Sequence, residues 1–164
     1  MTTPILMLCA ALLAGNAAAA LPRPVDMSLD AANRLAGAAV AACQAQGHAI
    51  VVSVVDRGGN LVAVQRADGV GPHNTQASRK KAYTALSTRT STLDLARNAA
   101  ATLDARNLTT LPELLLLGGG VPLRVQGQVV GAIGVAGGGG AVNDDACALA
   151  ALSAVPELER PRAP

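Results

Sequence analysis

The sequence predicts an α+β fold in which an antiparallel sheet made of two β-hairpins is covered by helices. Two observations support this prediction. Apolar and β-branched runs occur in pairs on either side of short polar or glycine turns, which is typical of hairpins. Stretches with helical spacing of apolar residues lie before, between and after these pairs, and that order differs from the alternation of a doubly wound parallel sheet.

The first part of the chain is predicted to form a helix followed by a hairpin. Ser28 can act as the N-cap of a helix over residues 28–46, whose apolar residues share one face, and Gly47 ends it. The runs IVVSVVD and LVAVQR flank a turn with two glycines. Residues 50–66 are therefore predicted to form the first hairpin.

The rest of the chain continues this pattern. Helical spacing predicts helices over residues 75–87 and 93–106. VPLRV and VVGAIGV flank the polar turn QGQ and predict the second hairpin. Asn143 is expected to cap a final helix over residues 144–152, and the tail over residues 153–164 is expected to be loose.

The composition indicates a single domain and argues against nucleic-acid binding. The 164 residues are enough for one domain, and 51% of them are hydrophobic, although the chain has no Trp or Phe and a single Tyr. The formal net charge is only +2, and the run of three cations at Arg79, Lys80 and Lys81 has no interleaved aromatic residues. We therefore expect no nucleic-acid partner.

The N-terminal stretch MTTPILMLCAALLAGNAAAA, residues 1–20, has features of a secretory signal peptide. It has no charged side chain, its apolar run is too short to span a bilayer, and Ala18 and Ala20 suit a small-residue cleavage site. A signal would make the mature protein periplasmic or secreted, without a stable membrane span. Because no Lys or Arg precedes the apolar run, an upstream start codon and a buried N-terminal helix stay open as alternatives.

Two cysteines follow the predicted signal, Cys43 and Cys147, and an exported protein can join such a pair in a disulfide. Both lie on apolar faces of predicted helices, where a free cysteine packs as a small hydrophobic residue. We therefore expect two buried thiols, with the disulfide as the alternative.

His73 is a candidate metal ligand. It follows Pro72 and lies just before the predicted second helix, while Gly69 and Gly71 leave space around it. A neutral imidazole binds metals and haem iron, so the position suits an axial ligand. The alternative is an exposed loop histidine or one that caps the helix.

Lys81 and a glycine-rich turn are candidate anion-binding groups. Helical spacing places Lys81 and Thr84 together at the edge of the buried face, where an ammonium group can reach the surface or pair with a carboxylate ligand. The turn in LGGGVPLR contains Gly118, Gly119 and Gly120, whose N–H groups can hold an anion. The alternative for these glycines is a tight connection into a strand.

Four short patterns occur together in the chain: the hairpin VVD-x-GG-x-L, the loop R-x-D-G, the helix K-A-x-T-A, and GG-x-P before a hairpin that ends in GAIGVAGG. Each pattern alone is weak, but the combination is specific. It resembles the GlcG/HbpS family, also called the haem-degrading domain family. The resemblance covers residues 28–152.

The resemblance implies a profilin-like α+β fold and a homo-oligomer. It also implies haem as a cofactor, because secreted members bind haem and some promote its iron-dependent breakdown. The implied pocket lies between residues 73–84 and the GGG-x-P turn, with His73 or Thr84 as iron ligand and Lys81 near the haem propionates. This chain departs from the family in its glycine–alanine loop at residues 137–141.

The first hypothesis is therefore an exported haem-binding protein with slow iron-dependent haem degradation. An alternative is a metal-free enzyme acting on a small organic acid. In that case Lys81 and the glycine turn hold the carboxylate, and His73 acts as acid or base. A third hypothesis is a structural oligomer whose pocket is vestigial.

Overall fold

The computed structural model describes residues 24–160, which form a four-stranded antiparallel sheet and five α-helices. The strands are β1 (Val51–Asp56), β2 (Leu61–Arg66), β3 (Gly120–Val125) and β4 (Gln128–Ala136). The helices are α1 (Leu29–Gln44), α2 (His73–Thr88), α3 (Thr92–Ala101), α4 (Leu103–Arg106) and α5 (Ala141–Ala151). The predicted α+β fold, with a sheet built from two hairpins and helices on its faces, is confirmed.

The two hairpins join through their inner strands, so the strand order is β2-β1-β4-β3. Val51 of β1 pairs with Arg66 of β2 on one side and with Ala136 of β4 on the other. The five residues before Asp56 in β1 are all buried, because helices cover both faces of the central strands.

Helices α1 and α5 pack on one face of the sheet and enclose the main core, which is built from Ala, Val, Leu, Ile and Met side chains. Helix α2 packs on the opposite face, against β1, β3 and β4. It approaches the sheet very closely: a β-carbon at Gly134 would overlap the carbonyl oxygen of Ser78, and one at Gly120 would overlap that of Lys81. The strand glycines therefore set how near this helix lies.

Cys43 of α1 and Cys147 of α5 form a disulfide, with their Cα atoms 5.6 Å apart. The expectation of two free buried thiols is wrong. Both residues are fully buried, as expected, but the apolar faces that carry them belong to two helices packed against each other. The disulfide therefore links the first and last helices on one face of the sheet.

Several helix boundaries differ from the predicted ones. Helix α5 begins at Ala141, after Gly140, and Asn143 lies inside its first turn instead of capping it. The Asn143 side chain donates a hydrogen bond back to the carbonyl of Gly138 at 2.9 Å. The predicted helix over residues 93–106 is divided into α3 and α4 by Thr102, whose backbone is extended.

The segment after α5 is packed against the domain as far as Arg160, so the expectation of a loose tail is wrong for this part. Val155 and Leu158 are buried in the main core. The N–H of Glu159 donates to the carbonyl of Arg124 at 2.9 Å, and the Glu159 carboxylate accepts from the N–H of Gly127 at 2.5 Å.

The predicted signal over residues 1–20 and the end of the predicted tail lie outside the described residues. Within residues 24–160, no helix is both long and apolar enough to cross a membrane.

Candidate functional site

His73 is exposed at the first residue of α2. Because a helix repeats every 3.6 residues, His73, Gln76, Lys80 and Tyr83 lie along one stripe of α2 that faces away from the sheet. We call these four residues the α2 stripe. His73 and Lys80 are seven residues apart, which corresponds to about 10 Å along the helix. The imidazole predicted as a ligand is therefore accessible, and a cation follows it on the same side of the helix.

A hollow of about 190 Å³ lies beside the C-terminal half of the α2 stripe and is lined by Gln76, Arg79, Lys80, Tyr83 and Glu113. Lys80 donates a hydrogen bond to the carbonyl of Pro112 at 2.8 Å, whereas Arg79 is exposed. Tyr83 is 38% exposed. Two cations and a phenol are thus grouped around this hollow, further along the helix that begins at His73.

Lys81 lies on the opposite side of α2 and is only 1% exposed. Its ammonium group donates to Oδ2 of Asp144 at 2.7 Å and to the carbonyl of Val135 at 3.0 Å. The other oxygen of Asp144 accepts the N–H of Gly138 at 2.7 Å. The charge of Lys81 is therefore enclosed and paired within the domain, and in this structure the ammonium group is not exposed to a haem propionate.

Thr84 is fully buried one turn further along α2. Its hydroxyl donates to the carbonyl of Lys80 at 2.7 Å and accepts the N–H of Leu115 at 2.8 Å. The side chain thus fastens the loop before β3 to α2. This oxygen is therefore enclosed and already bonded, and in this structure it is not exposed to an iron ligand site.

The turn formed by Gly118, Gly119 and Gly120 is also packed and hydrogen-bonded within the domain. The N–H of Gly120 donates to the hydroxyl of Thr92 at 2.8 Å, and a β-carbon at Gly118 would lie 2.8 Å from the carbonyl oxygen of Ala141. Gly119 has a φ of 116°, which favours glycine. The turn is closed against α3 and α5 instead of presenting open N–H groups to an anion, so the alternative of a tight connection is the better interpretation.

These positions differ from the arrangement expected for the metal-free enzyme. His73 is on the outer surface of α2, whereas Lys81 is buried between α2 and the sheet. The structure does not bring His73, Lys81 and the glycine turn together around one substrate.

A larger groove, missed by the sequence analysis, lies between α3, β3, α5 and the segment after α5. Its volume is about 900 Å³. The groove is lined by Ser91, Leu93, Asp94, Arg97, Val121, Pro122, Arg124, Asp145, Leu149, Ala150, Leu152, Ser153, Glu159 and Arg160. The sequence gives no sign of this groove, because its walls come from four segments that are far apart in the chain.

Asp145 lies in the wall of this groove and is only 8% exposed. Among the described residues its Oδ1 atom has no hydrogen-bond partner. Burial raises the pKa of Asp145, and the nearby Asp94 carboxylate adds to the rise, while the Gly119 amide and the charges of Arg97 and Lys81 oppose it. Asp144 and Asp145 are adjacent in the sequence. No local pattern showed that Asp144 would form the ion pair with Lys81 and that Asp145 would not.

The accessible donors fit haem at the α2 stripe. Haem iron binds imidazole and phenolate ligands, and His73 and Tyr83 offer both on one side of α2. Arg79 and Lys80 are cations of the kind that pair with carboxylates such as propionates. The larger groove contains no His, Cys, Met or Tyr among its lining residues and therefore offers no such iron ligand.

The fold defines an α+β protein with helices on both faces of an antiparallel sheet, and comparison with known proteins shows its family. The family model described as "Haem degrading protein HbpS-like" matches residues 27–153. The chain therefore belongs to the HbpS-like family, as the sequence resemblance predicted.

Individual relatives agree with this assignment. Protein GlcG of Escherichia coli strain K12 is 34% identical over 114 residues, which cover 68% of this chain and 81% of that protein. The crystal structure of HbpS is similar with a TM-score of 0.77 and 36% identity, covering 82% of this chain and 94% of that chain. The crystal structure of a PduOC:Heme complex is similar with a TM-score of 0.75 and 26% identity, covering 84% of this chain and 100% of that chain.

Proposed function

We propose that this protein binds haem at the α2 stripe, with His73 as the axial ligand of the iron. The family description and the haem complex of a structurally similar relative support haem as the ligand. The single observation that favours this position is the exposed imidazole of His73 at the start of α2, followed by a cation and a phenol on the same side. Bound haem would supply the iron centre, and the chain's own residues would bind and orient it.

The propionates in this proposal are held by Arg79 and Lys80. Arg79 is exposed, and Lys80 contacts one backbone carbonyl, so both can turn towards a carboxylate without leaving a buried partner unpaired. Lys81 has no direct role, because moving its ammonium group would leave the Asp144 carboxylate buried and unpaired.

We further propose that the protein is a homo-oligomer whose second copy covers the other side of the haem. One helix surface covers only one side of a flat apolar molecule, and the opposite side would stay in water. The chain has exposed apolar residues that a second copy could bury: on β2, Leu61 is 45% exposed and Val64 is 40% exposed. Tyr83 itself lies over the turn at Gly59.

Export to the periplasm or the medium is also proposed. The Cys43–Cys147 disulfide supports it, because disulfides persist in oxidising compartments and are rare in the reducing cytosol. The signal predicted over residues 1–20 supports the same location.

The test of haem binding is a titration of the protein with haem, followed by the Soret absorbance. His73→Ala is the test variant, and His48→Ala is the matched control because His48 is the other histidine of the chain. We expect saturable binding that weakens about tenfold or more, or changes its spectrum, in His73→Ala and not in His48→Ala. Equal binding in all three proteins would exclude His73 as the ligand. The absence of saturable binding would exclude haem and favour the structural oligomer.

Slow iron-dependent haem degradation is proposed as a second step, supported by the description of the family. The test adds ascorbate in air to the haem complex and measures both the loss of Soret absorbance and the release of iron to a chelator. Iron release that needs the protein and falls in His73→Ala would support it. Release at the rate of free haem would leave the protein a binder only.

A further inference from the structure

We propose that the loop over residues 111–117 is a strap on α2 that loosens when the carboxylate of a ligand binds in the hollow beside the α2 stripe. Lys80 fastens the strap to α2, and the ligand's carboxylate takes Lys80 away from it. This inference rests on the proposed haem site and adds a ligand-dependent change in the shape of that site.

The strap is held to α2 at two points that lie one helical turn apart. The ammonium group of Lys80 donates a hydrogen bond to the carbonyl of Pro112 at 2.8 Å. The hydroxyl of Thr84 accepts the N–H of Leu115 at 2.8 Å. The strap therefore follows α2 because two side chains of that helix bond to its backbone.

Of the contacts that hold the strap, the one at Lys80 is the most easily exchanged. Thr84 is fully buried, and so is Thr92, whose hydroxyl donates to the carbonyl of Leu117 at 2.8 Å. The contact between Lys80 and Pro112 is exposed, so water can take the place of the ammonium group at this carbonyl. An ammonium group bonds more strongly to a carboxylate than to a neutral carbonyl, because both partners then carry a charge.

The strap also forms part of the wall of the hollow. Arg79 and Lys80 line the hollow from α2, and Glu113, which directly follows Pro112, lines it from the strap. A carboxylate that enters the hollow brings a second negative charge close to Glu113, and like charges repel each other. The binding event that removes Lys80 from the strap therefore also repels the strap.

Loosening of the strap would change the apolar surface of the protein. The strap contains five leucines: Leu111 and Leu117 are 47% and 45% exposed, and those at positions 114–116 are half-buried. Release from α2 would uncover the half-buried leucines. The strap is thus an element with two arrangements, and the ligand shifts the equilibrium between them.

The test is hydrogen exchange of the backbone amides, read by mass spectrometry with and without haem. The N–H of Leu114 donates to the carbonyl of Leu111 at 3.1 Å, and that of Leu115 donates to Thr84. We expect their exchange to become about fivefold faster with haem, as the loss of one hydrogen bond would give. The N–H of Gly120, which is bonded within the core, should exchange at an unchanged rate. Unchanged or slower exchange of the strap in the haem complex would overturn the proposal.

Haem dimethyl ester separates the effect of the carboxylates from that of the rest of the ligand. Its propionates are esterified and carry no charge, so it has nothing that attracts Lys80. We expect the ester to bind without faster exchange of the strap. An equal rise with haem and with the ester would overturn the competition for Lys80.

Variants test the two charged groups of the strap contact. In the protein without haem, Lys80→Met should raise the exchange of the strap to about the level of the wild-type haem complex, and haem should then cause no further rise. Arg34→Met is the matched control, because it removes an exposed cation from α1, on the other face of the sheet. Unchanged exchange in Lys80→Met would show that Lys80 does not fasten the strap.

Glu113→Gln tests the repulsion separately. It should bind haem about threefold more tightly, as expected for removing one exposed like charge, and its affinity for the ester should be unchanged. Glu157→Gln is the control, because Glu157 is exposed and does not line the hollow. Equal haem affinity of Glu113→Gln and the wild type would overturn the part given to Glu113.

The Soret absorbance of the same samples distinguishes failure of this inference from failure of the haem site. Saturable haem binding with an unchanged strap would overturn the strap and leave the haem site in place. The absence of saturable binding would overturn the haem site and this inference with it.

Discussion

The ammonium group of Lys81 lies 2.7 Å from Oδ2 of Asp144, and both side chains are almost completely buried. The pair joins α2 on one face of the sheet to α5 on the other, close to the end of β4. The carbonyl of Val135 and the N–H of Gly138 supply further hydrogen bonds to the two charged groups. Burying two charges away from water costs free energy, and their mutual attraction offsets that cost. Removing only one partner is therefore most destabilising, because it leaves the other charge buried and unpaired.

Replacing Lys81 by Met should therefore strongly destabilise the fold. The change leaves the Asp144 carboxylate buried without its cation, and breaking a buried pair in this way costs about 3–5 kcal/mol. Urea denaturation measures the free energy of unfolding. The double variant Lys81→Met with Asp144→Leu should recover part of the loss. Arg79→Met, an exposed cation on the same helix, should change stability by less than about 0.5 kcal/mol.

Gly134→Ala should also destabilise the protein, because the added methyl group would overlap the carbonyl of Ser78 and lie 2.6 Å from the nitrogen of Ala82. Overpacking of this kind costs about 1–3 kcal/mol or more. Gly37→Ala is the matched control in α1, where the new methyl group would lie 3.9 Å from Gln65. It should raise the free energy of unfolding by about 0.5–1 kcal/mol. Equal effects of the two changes on thermal and urea denaturation would contradict the close packing of α2.

The double variant Cys43→Ala with Cys147→Ala should lose up to about 5 kcal/mol of stability. The two cysteines are 104 residues apart, and a cross-link over a long loop restricts the unfolded chain most strongly. Peptide mapping of the non-reduced protein should recover Cys43 and Cys147 in one cross-linked peptide. If both thiols react with a thiol reagent in the unfolded, non-reduced protein, the disulfide is absent.

The secondary structure could be predicted from the sequence because its signals are local. The apolar runs on either side of the turn at Gly58 and Gly59 predict β1 and β2 without reference to the rest of the chain. The helix end predicted at Gly47 lies just beyond α1, which ends at Gln44.

The site could be predicted only in part, because its contacts are not local. Lys81 looked like an edge residue of α2, but the glycines at 119, 120 and 134 allow such close packing against this helix that its buried face extends to include Lys81. Its partner, Asp144, is 63 residues away, and no local pattern pairs the two. His73 was predicted just before the second helix, and it is the exposed first residue of α2.

Asp145 should make stability depend on pH in the direction opposite to an ordinary paired aspartate. Burial raises its pKa in the folded state, with a further contribution from Asp94, against the Gly119 amide, Arg97 and Lys81. A raised pKa means that the folded state binds the proton more tightly than the unfolded state. Its stabilising contribution is therefore full below the unfolded pKa and is lost as the pH rises through the folded pKa. Relative to Asp145→Asn, the wild type should become less stable as the pH rises over this interval.

Asp56 provides the matched control with the opposite sign. Burial acts to raise its pKa, but hydrogen bonds from the Asn60 side chain and from the Asn60, Gly58 and Gly59 amides outweigh burial, so the pKa is lowered. Its contribution to stability is present above the unfolded pKa and is lost as the pH falls through the folded pKa. Urea denaturation of the wild type, Asp145→Asn and Asp56→Asn across acidic pH should therefore give difference curves of opposite slope. Difference curves of the same slope would show that burial does not raise the pKa of Asp145 in the folded state.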